Sequence, residues 1–309
     1  MSLLDRRILL VTGKGGVGKS TVCAALGLAA AAAGQKTLIA EVAGNTRMAE
    51  VFGLRSLGYE PTALARNLYG LSITPEAAIE DYVVQTIKVR TLFKLAFQNR
   101  VMGPFMDAVP GLHDAVQLGK IFDLERDRSA LGRRSWDLII VDAPATGHGL
   151  TMLSAPRSMM ELTRGGPIFE GVRQVHDIID DPRITAILLV ALAEDMPVNE
   201  TIELWGRLGP SQASVALCVC NEMSATPIPD EALWQATTAL RGGERALDEA
   251  IELTRGARER ALRQQHNRQR LQSALPIPTT ELPLRPSRQL SLDELLSMGQ
   301  TLLKAGGAA

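Results

Sequence analysis

Residues 13 to 21 of the sequence are Gly13-Lys14-Gly15-Gly16-Val17-Gly18-Lys19-Ser20-Thr21. An apolar run precedes them at residues 8–11 and an alanine-rich segment follows, which predicts a strand, a loop and a helix in that order. A Walker A loop needs glycines that bend its N–H groups around phosphate oxygens, a lysine for the β- and γ-phosphates, and a hydroxyl for Mg²⁺. Gly13, Gly18, Lys19 and Ser20 fill these positions, so the stretch predicts a phosphate-binding loop.

Apolar runs alternate with helical patterns along much of the chain, which favours an α/β fold with a mostly parallel sheet covered by helices on both faces. With the phosphate loop after the first strand, this pattern predicts a P-loop NTPase. The predicted strands are residues 8–11, 37–42, 138–141, 184–191 and 215–220.

The length of 309 residues permits one large domain or two, and we expect a single P-loop domain over residues 1–309. Helical spacing without a convincing strand predicts a helical insertion at about residues 75–130. A further helical segment is predicted at about residues 155–180. It has two alternative roles, a helix that packs on the sheet or a surface that receives a protein client.

A second candidate site residue is Asp142, which ends the apolar strand Asp137-Leu138-Ile139-Ile140-Val141-Asp142. Open α/β sheets bind ligands at the carboxyl ends of their strands, so this carboxylate is predicted as the Walker B acid. It would hold Mg²⁺ opposite the Ser20 hydroxyl, directly or through water. A structural role, as a strand-end carboxylate that caps the next turn, is the alternative.

Composition argues against several classes of protein. The formal net charge is −1 and the aromatic share is 4%, so neither a basic field nor an aromatic platform for nucleic acid is expected. No apolar stretch approaches the roughly 20 residues that span a bilayer, and no secretory signal is visible. The three cysteines fit a reducing compartment, so a cytoplasmic protein is predicted. Cys218 and Cys220 are interpreted as small buried hydrophobic residues, with metal binding as the less favoured alternative.

Lys14 is a second lysine that the ordinary Walker A pattern does not require. With it, the string Lys14-Gly15-Gly16-Val17-Gly18-Lys19-Ser20-Thr21 resembles the deviant Walker A ATPases, a class that includes nitrogenase iron protein and the chromosome-partition ATPases. In that class the extra lysine reaches across a nucleotide-sandwich dimer. The resemblance therefore implies a homo- or heterodimer in which Lys14 acts on the ATP of the partner, much as an arginine finger does.

The residues after Asp142 narrow the resemblance. The segment Ala143-Pro144-Ala145-Thr146-Gly147-His148 is similar to switch II of the arsenite-pump and tail-anchored-protein-targeting ATPases, which is D-T-A-P-T-G-H-T. This resemblance implies that residues 13–21, Gly147 and His148 contact ATP and that Lys14, Lys19 and Asp142 serve catalysis. It also places Asn221 and Pro283 near the adenine.

The chain departs from that family at two places. The family's switch I aspartate, which positions the attacking water, aligns with Ala43, and Glu41 could substitute for it or serve as a strand-end carboxylate. The three cysteines match neither the zinc-holding C-x-x-C nor the arsenite-binding thiols of the family, which disfavours arsenite transport.

We therefore expect a Mg²⁺-dependent ATP-binding dimer that couples nucleotide state to a helical surface for a protein client, with hydrolysis slow or dependent on a partner. The alternatives are a non-hydrolysing ATP-binding subunit of a heterodimer, an anion-transport ATPase, and a partition ATPase. The last needs a terminal basic or amphipathic element, and Lys304 is the only cation after residue 290.

Overall fold

The computed structural model describes residues 2–42, 47–87, 111–129, 132–144, 146–163, 165–285, 287 and 289–307. At residues 82–87, 146–150, 162–163 and 167–168 it describes the backbone alone. The switch I position Ala43 and the middle of the predicted helical insertion lie outside the described residues.

Eight strands of the described residues form one sheet in the order β3-β4-β2-β5-β1-β6-β7-β8. Every neighbouring pair is parallel except β3 and β4, so the expected mostly parallel α/β sheet is confirmed. The strands are β1 (Ile8–Thr12), β2 (Thr37–Val42), β3 (Thr62–Ala65), β4 (Leu68–Ile73), β5 (Leu138–Asp142), β6 (Thr185–Leu192), β7 (Val215–Met223) and β8 (Thr279–Pro283).

The described helices cover both faces of this sheet. They are α1 (Lys19–Ala32), α2 (Arg47–Val51), α3 (Pro75–Ile87), α4 (Leu112–Arg126), α5 (Thr146–Thr163), α6 (Pro167–Asp180), α7 (Asp195–Arg207), α8 (Glu231–Ala239), α9 (Arg245–Ala274) and α10 (Leu292–Ala305). Helices α3 and α4 lie at the two ends of the predicted insertion, and α5 and α6 lie in the second helical segment. The division of the chain into domains stays a prediction.

Two hydrophobic clusters form because successive residues of a strand point to opposite faces of the sheet. Leu9 of β1 packs on the face covered by α1 and α10, with Val22 and Met298. Leu10 packs on the other face, where α4, α5, α6, α7 and α9 contribute side chains such as Val175. With α1 buried between the sheet and α10, its alanines are small enough to let the two helices approach.

The parallel arrangement brings the carboxyl ends of β1, β2, β5, β6 and β7 to one edge of the sheet. Strand β1 lies between β5 and β6. Strands β2 to β5 lie on one side of β1 and strands β6 to β8 on the other, so the loop after β1 is at the point where the strand order changes direction. Ligands of open α/β sheets bind at such a point. Among the described helices, none has the length and apolar character needed to cross a membrane.

Candidate nucleotide site

The loop between β1 and α1 depends on its glycines. The φ angles of Gly13, Gly16 and Gly18 are 152°, 84° and 91°, a region that side chains with a Cβ rarely adopt. A Cβ atom at Gly13 would lie 2.1 Å from the carbonyl oxygen of Val190, and one at Gly18 would lie 2.2 Å from Nδ2 of Asn221. The loop is therefore packed against β6 and β7 so closely that only glycine fits at these two positions.

Lys19 is the first residue of α1 and its side chain folds back over the loop. Its Nζ atom donates to the carbonyl oxygens of Gly13 and Lys14, each at 3.0 Å. Burial lowers the pKa of Lys19, while the carboxylate of Asp142 raises it. The amine is thus held above the backbone N–H groups that start α1, where a phosphate group would meet both.

Ser20 and Asp142 come together across the gap between α1 and β5. Asp142 is the last residue of β5 and only 4% exposed, and its Oδ2 atom has no hydrogen-bond partner. Burial raises the pKa of Asp142, whereas a hydrogen bond with Ser20 and the charge of Lys19 lower it. A hydroxyl and an unsatisfied carboxylate oxygen are ligands that suit Mg²⁺, so the residues present fit the ion.

Glu41 lies beside Asp142, because β2 and β5 pair in register at these two residues. Glu41 is completely buried, and its Oε1 atom accepts a long hydrogen bond of 3.5 Å from the backbone N–H of Met48 in α2. Burial raises the pKa of Glu41 to about 7. These contacts support the structural alternative for Glu41, in which the carboxyl group positions the start of α2.

Lys14 contacts a helix of its own protomer. Its Nζ atom lies 2.8 Å from Oε1 of Glu200 in α7, and both side chains are about one third exposed. The pair joins residues 186 positions apart in the sequence. The role of Lys14 across a dimer stays a prediction, and in the single chain this lysine is held by an ion pair.

A cavity of about 700 Å³ extends from Gly18 of the phosphate loop to the segment at the end of β8. It joins Ser20 and Thr21 of α1 to Asn221 and Pro283, the two residues that the family resemblance places near adenine. Nδ2 of Asn221 donates to the carbonyl oxygen of Val17 at 2.9 Å, so this side chain also supports the loop. The cavity has the size of a small-molecule site.

Two further predicted residues, Gly147 and His148, lie in the first turn of α5, five and six positions after Asp142. The model describes only their backbone. They lie at the start of the helix that follows β5, and both their role as switch II and their contact with nucleotide stay predictions.

The sequence analysis missed Arg47, Glu50, Glu222 and Arg285, which also line the cavity. Arg47 and Glu50 belong to α2, and counting forward from the switch I alignment would have placed this helix at the site. Glu222 and Arg285 each lie within two residues of a predicted contact, Asn221 and Pro283, and this adjacency was the available signal.

None of the cysteines lies at this cavity. Cys23 lies in α1, and Cys218 and Cys220 lie in β7, all three buried and unoxidised. No group of three or more His, Cys, Asp or Glu side chains is placed to hold a metal in the part of the chain that the structure describes.

A glycine-bent loop after β1, a lysine folded over it and a strand-end carboxylate beside a helix hydroxyl together define a P-loop nucleotide-binding protein of the α/β class. A family model described as anion-transporting ATPase matches residues 6–165, which is about half of the chain. The chain belongs to this ATPase family, as the resemblance of the phosphate loop and switch II suggested.

Relatives agree with this assignment. ATPase BagA of Mycobacterium tuberculosis (strain ATCC 25618 / H37Rv) is 34% identical over 228 residues, covering 70% of this chain and 64% of that protein. A putative arsenical pump-driving ATPase of Halobacterium salinarum is 24% identical over 312 residues, covering 96% of this chain and 44% of that protein. ATPase GET3 of Mycosarcoma maydis is 24% identical over 265 residues, covering 72% and 75%. The chain thus spans less than two thirds of the length of the first two.

Proposed function

We propose that this chain binds Mg²⁺–ATP, forms a dimer across the nucleotide, and uses the nucleotide state to open and close a helical surface that handles a protein client. Hydrolysis is slow or depends on a partner. One observation carries the nucleotide part: Asp142 interacts with both Ser20 and Lys19, and Ser20 also lines the cavity that contains Asn221 and Pro283.

The residues divide the work of phosphate binding. The N–H groups at the start of α1 and the Lys19 amine bind the β- and γ-phosphates, and Gly13 and Gly18 let the backbone approach them. Ser20 and Asp142 hold Mg²⁺, which neutralises charge on the phosphates. Gly147 and His148 begin α5, so a contact between them and the γ-phosphate would be transmitted to this helix.

The dimer part of the proposal comes from Lys14. A cation added from the partner would stabilise the charge of the transferring phosphoryl group in a closed dimer. The Lys14–Glu200 pair shows that the side chain is near enough to the surface to form ion pairs, since both groups are about one third exposed. The partner is a second copy in a homodimer or a homologue in a heterodimer.

The client part of the proposal comes from the helices that follow β4 and β5. Helices α3, α4, α5 and α6 lie in the regions predicted as helical insertion and second helical segment. The family resemblance includes ATPases that target tail-anchored proteins, and one relative carries the name ATPase GET3. A pull-down in a non-hydrolysable ATP analogue compared with ADP tests this part, and a client retained equally in both states would contradict it.

Calorimetric titration with ATP tests the nucleotide site directly, with and without Mg²⁺. We expect micromolar or tighter binding that weakens when Mg²⁺ is chelated, because Ser20 and Asp142 contact the nucleotide only through the ion. Binding that is indifferent to Mg²⁺, or absent, would contradict the proposed site. The three free thiols are compatible with the cytoplasm as the proposed compartment.

A second candidate function is a non-hydrolysing ATP-binding subunit paired with an active homologue. Ala43 favours it, because alanine cannot orient water where the family has aspartate. A single-turnover assay on the pure protein separates the two candidates: conversion of bound ATP to ADP supports the enzyme, and none supports the subunit. Arsenite transport is less favoured, since Cys23 packs on one face of the sheet, Cys218 and Cys220 pack on the other, and all three are buried.

A further inference from the structure

Arg47 is a cation of the nucleotide cavity that the family motifs do not include. It is the first residue of α2 and its side chain is exposed. It lines the cavity together with Ser20 and Thr21 of α1. An arginine therefore stands opposite the helix that carries the phosphate-binding and Mg²⁺-binding side chains.

The charge of Arg47 acts on the titratable groups of the proposed phosphate site. Burial raises the pKa of Asp142 and of Glu41, and the positive charge of Arg47 works against both of these shifts. Burial lowers the pKa of Lys19, and the charge of Arg47 adds to that shift. The guanidinium thus interacts electrostatically with the Lys19 amine and the Asp142 carboxylate, and it lines the same cavity as Ser20 and Thr21.

The backbone of α2 next to Arg47 is anchored, while the Arg47 side chain is exposed. The next two residues, Met48 and Ala49, are completely buried, and the Met48 N–H donates to Glu41. The start of α2 is therefore fixed against β2. A long arginine side chain on a fixed base is suited to fold over a bound anion.

We propose that Arg47 is a third cation of the site, contacting the β- and γ-phosphates of ATP from the same protomer that supplies Lys19. The guanidinium presents a planar fork of N–H donors that matches two phosphate oxygens at once. This inference rests on the proposed nucleotide binding and adds a residue to it.

Calorimetric titrations of the full chain with Mg²⁺–ATP, Mg²⁺–ADP and AMP test the assignment. We expect Arg47→Ala to weaken ATP binding about tenfold, which is typical of a lost hydrogen bond to a charged group. The loss should be smaller for ADP and absent for AMP, which lacks the contacted phosphates. Arg47→Lys should recover part of the ATP affinity, since it keeps the charge without the fork.

Arg55→Ala is the matched control, because Arg55 follows α2 as an exposed arginine and does not line the cavity. It should leave all three affinities unchanged. An equal loss for ATP, ADP and AMP in Arg47→Ala would assign the side chain to the nucleoside and overturn the proposal. Unchanged ATP affinity would also overturn it, with the nucleotide site intact. If the wild type binds none of the three ligands, the nucleotide function itself is wrong.

Discussion

The Nζ atom of Lys14 lies 2.8 Å from Oε1 of Glu200, so the second lysine of the phosphate loop is tied to α7 of its own protomer. Helix α7 is in turn held against α9, since Arg270 contacts Asp195 at 3.3 Å and Asn199 at 2.7 Å. The Lys14–Glu200 ion pair therefore connects the phosphate loop to α7, a helix that is itself fixed by its contacts with α9. Lys14 must leave Glu200 before it can reach the nucleotide of a partner.

Glu200→Gln should strengthen ATP-dependent dimerisation, because Lys14 is then released without a competing carboxylate. An ion pair at this exposure is worth little, and two are broken in each homodimer, so the association constant should rise roughly two- to thirtyfold. Sedimentation velocity with a non-hydrolysable ATP analogue measures the change.

The control for this variant is Glu203→Gln, which removes another ion pair of α7, that between Glu203 and Arg207 at 2.8 Å. It should leave dimerisation unchanged. If Glu200→Gln weakens the dimer instead, then Glu200 belongs to the interface and does not restrain Lys14.

Lys19→Ala should abolish nucleotide binding, because the phosphates lose the cation that lies over the loop. We expect ATP affinity to fall by about a hundredfold or more, since several charge-assisted hydrogen bonds disappear together. Calorimetry measures the loss. Lys36→Ala is the control, because Lys36 precedes β2 at the end of the strand away from the phosphate loop. There its Nζ atom lies 4.7 Å from the centroid of the Trp136 ring. Retained binding in Lys19→Ala would rule out the phosphate assignment.

Ala43→Asp should raise the rate of ATP hydrolysis, because it restores a carboxylate that can orient water. Positioned bases typically contribute about 10² to 10⁴ in rate, so an increase of roughly tenfold should appear even with imperfect placement. A steady-state phosphate-release assay measures it, and Ala43→Asn provides the control of similar shape. Brisk turnover in the wild type that Glu41→Gln eliminates would instead make Glu41 the catalytic carboxylate.

Glu41→Gln should change how the stability of the nucleotide-free protein depends on pH. Burial raises the pKa of Glu41 to about 7. The charged groups that also act on this carboxyl group are Asp142, Arg47 and Glu50. Because the folded state then holds a proton that the unfolded chain releases above pH 4.5, the free energy of unfolding falls as pH rises from 4.5 to 7. The loss is at most about 3 kcal/mol above pH 7.

Glutamine keeps the acceptor for the Met48 N–H and cannot ionise, so Glu41→Gln should escape this loss. Urea unfolding of wild type and variant at pH 5 and pH 8 measures the difference. The variant should gain stability relative to wild type at pH 8 and not at pH 5. Parallel curves would show that Glu41 is already ionised in the folded state.

Local patterns predicted much of the fold. Strands β1, β2, β5, β6 and β7 are mostly buried and mostly apolar, and such runs are visible in the sequence. Three strands were missed, β3 and β4 at one side of the sheet and β8 at the other, and β4 was missed although it is itself largely buried. Strand β3 is half-exposed and contains two alanines, and β8 ends in Pro283 within a proline-rich segment, which an edge strand tolerates.

In the site, too, local sequence patterns could be predicted, whereas contacts that depend on the fold could not. The phosphate loop and Asp142 were predictable because each is defined by a few consecutive residues at the end of a strand. The Lys14–Glu200 pair was not, because it depends on the packing of α7 beside the loop, 186 positions away. Arg47 was also missed, although counting forward from the switch I alignment would have led to α2, which borders the cavity.

The central claim is that ATP closes a dimer in which Lys14 acts on the nucleotide of the partner. Sedimentation velocity of wild type and Lys14→Ala, each with Mg²⁺ and a non-hydrolysable ATP analogue, tests it most directly, after calorimetry has shown that both bind the analogue. We expect the wild type to dimerise and Lys14→Ala to stay monomeric with nearly unchanged affinity for the analogue. Equal dimerisation of the two proteins would contradict the account.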